Sequence, residues 1–277
     1  MNKIKPVRVI AVTSGKGGVG KTNLSVNVGI ALSQMGQNVV LMDADMGLAN
    51  VDILLGVYPQ FNLSHVLSGE KTLNEIMMEG PAGLRVIPGA SGIQKMSELT
   101  TIEQASVIHA FSEIDQNIDV LIVDTAAGIS ASVVNFARAC QEIIVVVCDE
   151  PTSLTDAYAF IKLLNRDYGL SHFHVITNMV QSVQQGHALF QKLSKVTDRY
   201  LDVTLKFAGA VPYDEYLRKA VQKQMPVVMG FPRSKAALAL KTIAARIDSW
   251  PLKSQAGGYI EFFIERMIQY GSQKDVA

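Results

Sequence analysis

One stretch near the amino terminus limits the fold more than any other. Val9-Ile10-Ala11-Val12-Thr13 is a β-branched, apolar run. It leads directly into Ser14-Gly15-Lys16-Gly17-Gly18-Val19-Gly20-Lys21-Thr22, and a helical pattern follows over Lys21–Gln34. A strand, a glycine-rich loop closing on Gly-Lys-Thr and a helix, in that order, make a P-loop. The residue types follow from the chemistry. Gly15, Gly17, Gly18 and Gly20 carry no side chain, so the backbone N–H groups of the loop, Val19 included, can converge on phosphate oxygens. The amino end of the helix adds its positive dipole at the same place. Lys21 is expected to bridge the β- and γ-phosphates and the Thr22 hydroxyl to ligate Mg²⁺, so the implied ligands are ATP or ADP with Mg²⁺.

The remaining chain alternates in the same way. Val7–Thr13, Asn38–Asp43, Val120–Asp124, Ile143–Cys148, His174–Asn178 and Phe207–Val211 read as strands apolar on both faces. Lys21–Gln34, Thr101–Asp115, Ser130–Ala139, Ser153–Tyr168, Gly186–Tyr200 and Lys235–Ser249 read as the helices between them. Parallel neighbours need crossovers of this length, so the expected fold is α/β, a doubly wound, mostly parallel sheet flanked by helices. Hydrophobic residues at 48% against 18% charged give such a sheet enough material for its core. The only plausible boundary is Ser254–Gly258, which divides an ATPase domain over residues 1–253 from a segment over 254–277.

Composition removes other classes. Lys plus Arg and Asp plus Glu both number 25, and a chain of zero formal net charge is not expected to hold nucleic acid by its overall field. Two cysteines among 277 residues, without CxxC or Cys/His spacing, give neither a disulfide framework nor a metal cluster. Cys148, inside an apolar run, is expected to be buried. Met1–Pro6 has no apolar core of a signal peptide, and no stretch approaches the roughly 20 apolar residues of a membrane span. A cytoplasmic protein is the expectation.

Two acidic motifs stand at strand ends. Asp43 and Asp45 leave the second strand in Leu41-Met42-Asp43-Ala44-Asp45-Met46-Gly47, and Asp124 ends Val120-Leu121-Ile122-Val123-Asp124, a Walker B pattern closed by Gly128. Both fall on the carboxyl edge, where doubly wound sheets bind ligands. Asp124 is expected to hold a Mg²⁺-bound water, Asp43 to support the metal, and Asp45 to orient the attacking water.

Lys16 departs from an ordinary P-loop. A second lysine in Gly-Lys-Gly-Gly-Val-Gly-Lys-Thr resembles the deviant Walker A motif of the MinD/ParA/nitrogenase-iron-protein superfamily, a SIMIBI-type P-loop fold. The resemblance implies that Lys16 reaches the partner's phosphates in an ATP-dependent homodimer. A cation delivered in trans makes hydrolysis depend on dimerisation, as an arginine finger does. In MinD-type proteins the Asn after one strand and the Pro-x-Asp after the next contact adenine; Asn178, Pro212 and Asp214 match those positions.

The chain resembles the FlhG/FleN family most over residues 7–270. The segments that carry this are Asp43-Ala44-Asp45-Met46-Gly47-Leu48-Ala49-Asn50-Val51-Asp52, Val123-Asp124-Thr125-Ala126-Ala127-Gly128 and Val147-Cys148-Asp149-Glu150-Pro151-Thr152-Ser153. Ser194–Arg199 and Glu261–Arg266 add to them. The resemblance implies slow, Mg²⁺-dependent ATP hydrolysis, antagonism of the flagellar master transcription activator and functional pairing with the SRP-type GTPase FlhF. Many members stimulate that GTPase through an Asp-Gln-Ala motif in an amino-terminal extension. Six residues precede the first strand here and the motif is absent, so stimulation by that route is not expected.

On a helical wheel, Tyr259, Ile260, Phe263, Ile264, Met267, Ile268 and Tyr270 share one half, with Phe262 outside it. After Gly257-Gly258 this reads as a hinged amphipathic helix. It is expected to contact the inner membrane peripherally in the ATP-bound dimer, with docking on the protein's own surface as the alternative. Rival readings are a septum-placing MinD, a ParA that would bind DNA through Arg218, Lys219, Lys223, Arg233, Lys235 and Lys241, an iron–sulfur protein, and an adaptor with an inactive site.

Overall fold

All seven residues of the first strand are buried, so this strand needs cover on both faces, and the rest of the chain supplies it. The computed structural model describes residues 6–90, 99–114, 117–252 and 260–268. Its strands are β1 (Arg8–Ser14), β2 (Val39–Ala44), β3 (Met78–Glu79), β4 (Arg85–Ile87), β5 (Val120–Ala127), β6 (Glu142–Cys148), β7 (His172–Val180) and β8 (Thr204–Pro212). They form one sheet in the order β3-β4-β2-β5-β1-β6-β7-β8, parallel except for the short β3–β4 pair.

Helix α1 (Lys21–Gln34) follows β1, and three short helices follow β2: α2 (Val51–Leu55), α3 (Leu63–Leu67) and α4 (Leu73–Ile76). The longer crossovers are α5 (Thr101–Ala110), α6 (Ala131–Arg138), α7 (Pro151–Tyr168) and α8 (Val183–Tyr200). After β8 come α9 (Glu215–Gln222), α10 (Val227–Gly230) and α11 (Lys235–Asp248). Alternate residues of β1 enter two cores. Val9 and Ala11 pack with α5 to α8, whereas Ile10 and Val12 pack with α1, α2, α10 and α11. Chain order reverses around β1, with β5 on one side and β6 on the other, which opens a crevice at its carboxyl end.

The long elements match the sequence reading, with shifted ends. The helix expected over Thr101–Asp115 stops at Ala110 and tightens to a 3₁₀ turn at Phe111–Glu113; residue 115 lies outside the described residues. The helix expected from Ser153 begins at Pro151, whose missing N–H costs nothing in a first turn. The helix expected from Gly186 begins at Val183, capped by the Ser182 hydroxyl.

Two anchors close the molecule at the amino edge of the sheet. Arg8 donates to the Trp250 carbonyl at 2.6 Å, and the indole stacks on His174 at 3.7 Å. The expected hinge at Gly257-Gly258, with Tyr259 and Tyr270, lies outside the described residues. Over 260–268 the chain docks on the protein. Phe262 and Phe263 meet the Phe111 ring edge-on at 4.9 and 5.8 Å. The Phe262 N–H donates to the Ala139 carbonyl at 3.2 Å, and Arg266 donates to the Ile114 carbonyl at 2.6 Å. The wheel is wrong for Phe262, which is fully buried. Helix begins only at residue 264, after a turn in which Phe263 takes a φ of 55°, so residues 262 and 263 do not follow the 100° spacing.

Candidate nucleotide site

The phosphate loop is shaped by what presses on it. A Cβ on Gly15 would strike the Asp156 backbone of α7, and one on Gly20, whose φ is +89°, would strike the Asn178 amide. Gly17 and Gly18 are exposed, leaving the mouth of the loop open, while Val19 is buried beneath it. Lys21 starts α1 and is nearly enclosed. Its ammonium donates to the Ser14 hydroxyl at 3.1 Å, and that hydroxyl donates to the Lys16 carbonyl at 2.6 Å. Burial lowers the Lys21 pKa, opposed by Asp124 and Asp45. A desolvated ammonium next to free backbone donors is the setting in which a polyphosphate is the natural counter-charge.

Asp43 and Asp124 are register partners across β2 and β5, and both are buried. Burial pushes Asp124 up to about 6, against the pull of hydroxyl hydrogen bonds from Thr22 and Ser25 and the charge of Lys21. It pushes Asp43 up to about 8, aided by the Asp124 charge. The Asp43 oxygens already accept three backbone N–H groups, from Asp45 at 3.1 Å, Asn50 at 2.9 Å and Val51 at 3.1 Å. Asp43 therefore ties down the loop that carries Asp45. The Asp45 carboxylate accepts the Leu48 N–H at 3.1 Å. Hard oxygen donors from Thr22 and Asp124 beside a cradle of free N–H groups fit Mg²⁺ with a nucleotide.

Lys16 behaves differently from Lys21. Its ammonium, 37% exposed, pairs with Glu150 and donates to the Thr152 hydroxyl at 3.1 Å, both at the junction of β6 and α7. The Glu150 hydrogen bond raises its pKa. On the base side, Asn178 is the last residue of β7 paired with β6 and donates from its amide to the Val19 carbonyl at 2.8 Å. Pro212 ends β8. Asp214 caps α9 through Tyr216 N–H at 2.8 Å and holds α11 through Ala236 N–H at 2.9 Å. The structure thus brings Asn178 against the loop, whereas both Asp214 oxygens are engaged by helix starts.

Sequence reasoning missed Ser14, Ser25, Glu150 and Thr152. For Glu150, the Pro that follows it was an available signal, since Pro favours the first helical position. Ser25 and Thr152 had no local signal, because each depends on a residue far along the chain, whereas Ser14 meets Lys16 and Lys21 within its own loop.

The ParA family model, described as NUBPL iron-transfer P-loop NTPase, matches residues 5–248. The antiactivator FleN of Pseudomonas aeruginosa is 57% identical over 270 residues, 98% of this chain and 96% of that protein. The flagellum site-determining protein YlxH of Helicobacter pylori is 32% identical over 95% of this chain and 90% of its own. The chain belongs to the FleN/FlhG group of ParA/MinD-type P-loop ATPases. Among solved structures, the septum site-determining protein MinD complexed with Mg-ADP from Pyrococcus horikoshii superposes with a TM-score of 0.73 at 25% identity, covering 88% of this chain and 97% of that one. A MinD-type ATPase of this kind binds ATP and Mg²⁺ and hydrolyses the nucleotide. Cys140 and Cys148 are both buried and form no disulfide. Among the described residues no helix is long and apolar enough to cross a membrane.

Proposed function

We propose that ATP and Mg²⁺ bring two copies of this chain together, phosphate loop to phosphate loop, and that the dimer is the form that restrains the flagellar master transcription activator. The supporting observation is the contrast between the two loop lysines. Lys21 fills the position from which a cation serves its own nucleotide, whereas Lys16 stands half-exposed on Glu150 and Thr152, free to exchange that contact for a phosphate of the facing subunit. Within each subunit Gly15, Gly17, Gly18, Val19 and Gly20 supply backbone donors, and Lys21 neutralises the phosphates. Thr22 and Asp124 hold the metal, with Asp43 fixing the adjoining loop and Asp45 orienting the water. Asn178, Pro212 and Asp214 border the base. Mg²⁺ held by Thr22 and Asp124 would stabilise the negative charge of the phosphoryl group being transferred. Hydrolysis then returns the protein to monomers, and partners are chosen by their differing affinity for the two states.

Residues 1–253 form the ATPase domain in this reading, and the carboxyl-terminal segment is its reporter. The monomer keeps Phe262 and Phe263 docked, and the dimer frees them for the inner membrane, where two helices per particle give avidity. FlhF is the expected functional counterpart. The flagellar reading is preferred to septum placement because of the 57% identity with an antiactivator. The molecular mass in solution is the test. Wild type in ADP is expected to elute as a monomer, and Asp45→Ala in ATP with Mg²⁺ as a dimer. A monomeric Asp45→Ala that still binds ATP would overturn the dimer.

A further inference from the structure

Beyond its first turn, helix α1 contains three buried or half-buried polar side chains, and one of them donates outside the helix. Asn27, whose Oδ1 accepts the Val228 N–H at 3.1 Å, turns its amide N–H back to the carbonyl of Asn23 at 2.7 Å, and Ser33 donates to that of Gly29 at 3.0 Å, the usual local outlet for such donors in a helix. Ser25 does not. Fully buried, it donates its hydroxyl to Asp124 Oδ1 on β5 at 2.8 Å, across 99 residues of sequence. Alanine would suit the helix better, so helix formation argues against a hydroxyl here. The carboxylate it meets is the one placed beside Thr22 at the expected metal position, three residues earlier on α1.

We propose that Ser25 is a positioning residue for Mg²⁺, holding one oxygen of Asp124 so that the carboxylate keeps a fixed orientation towards the ion. Groups that orient a ligand from behind typically change metal affinity by about 10–100-fold when removed. A hydroxyl that only satisfied a buried carboxylate would instead affect folding, or nucleotide binding with and without metal alike. The proposal rests on the Mg²⁺–nucleotide site and not on dimerisation, so it is tested in ADP, where the protein is expected to be monomeric.

The full chain is titrated with fluorescent ADP, first in EDTA and then with increasing Mg²⁺ at fixed nucleotide. For Ser25→Ala, ADP affinity in EDTA should stay within about twofold of wild type, while the Mg²⁺ concentration giving half the metal-dependent gain rises about tenfold. Ser33→Ala, which removes a serine from the same helix, should change neither. An unchanged Mg²⁺ midpoint in Ser25→Ala would overturn the proposal. So would equal losses in EDTA and in Mg²⁺, or failure to fold by circular dichroism, since each makes the contact structural.

Discussion

At the scale of single residues, the paired carboxylates set how the site responds to pH. An unfolded aspartate titrates near 3.9, whereas Asp43 is pushed up to about 8 by burial and by Asp124. Between about pH 4 and pH 8 the folded protein keeps a proton that the unfolded chain has released, so stability falls as pH rises through that window. The full slope for one proton is about 1.4 kcal/mol per pH unit. Denaturant unfolding in EDTA at pH 5.5, 6.5 and 7.5 should show this decline in wild type and a flatter profile in Asp43→Asn. Mg²⁺ with ADP should reduce the slope, because the metal favours the ionised carboxylates and displaces their proton. Stability rising with pH in EDTA would refute the assignment. Lys21, Thr22 and Asp124 were legible because their setting is local, a loop or strand end readable within ten residues. The triple N–H cage around Asp43 was not, since it depends on the path of residues 45–51, where no periodic signal exists.

Among the elements, the junction of β6 with α7 is where loop and helix exchange information. Gly15 lies against the Asp156 backbone, and Lys16 is held by Glu150, the residue before Pro151. The sequence pattern showed both elements but began the helix at Ser153, because periodicity becomes visible only after the first turn. In the dimer proposed above, Lys16 must leave Glu150 before it can reach a phosphate. Exposed pairs of this kind contribute modestly, so Glu150→Gln should lower the protein concentration at which the Asp45→Ala background dimerises in ATP by about two- to fivefold. Sedimentation measures this directly. Weaker dimerisation in Glu150→Gln would mean that the glutamate supports the interface instead of competing with it.

For the molecule as a whole, the question is how an event at the carboxyl edge of the sheet reaches a segment docked at its amino edge. Helix α6 spans that distance. It starts after Gly128, in the loop that closes the Asp124 strand, and it ends beside Ala139, whose carbonyl accepts the Phe262 N–H. The amphipathic character of the tail was legible in the sequence, but its docked pose was not, because the turn at Phe263 breaks the wheel. A movement of the Asp124–Gly128 loop on forming the dimer would pass along α6 to the Phe262 contact. Cys140 reports on this contact, being buried next to the tail with Glu261 nearby and its pKa raised by burial. Its reaction with a maleimide should be slow in ADP and faster by about tenfold or more in Phe262→Ala, since removing a buried phenyl typically costs about 3–5 kcal/mol of packing. Asp45→Ala in ATP should approach the Phe262→Ala rate, with Cys148 as the internal control. If Asp45→Ala is a dimer of doubled mass and Cys140 stays as protected as in ADP, the tail does not follow the nucleotide. Lipid contact would then have to come from another surface.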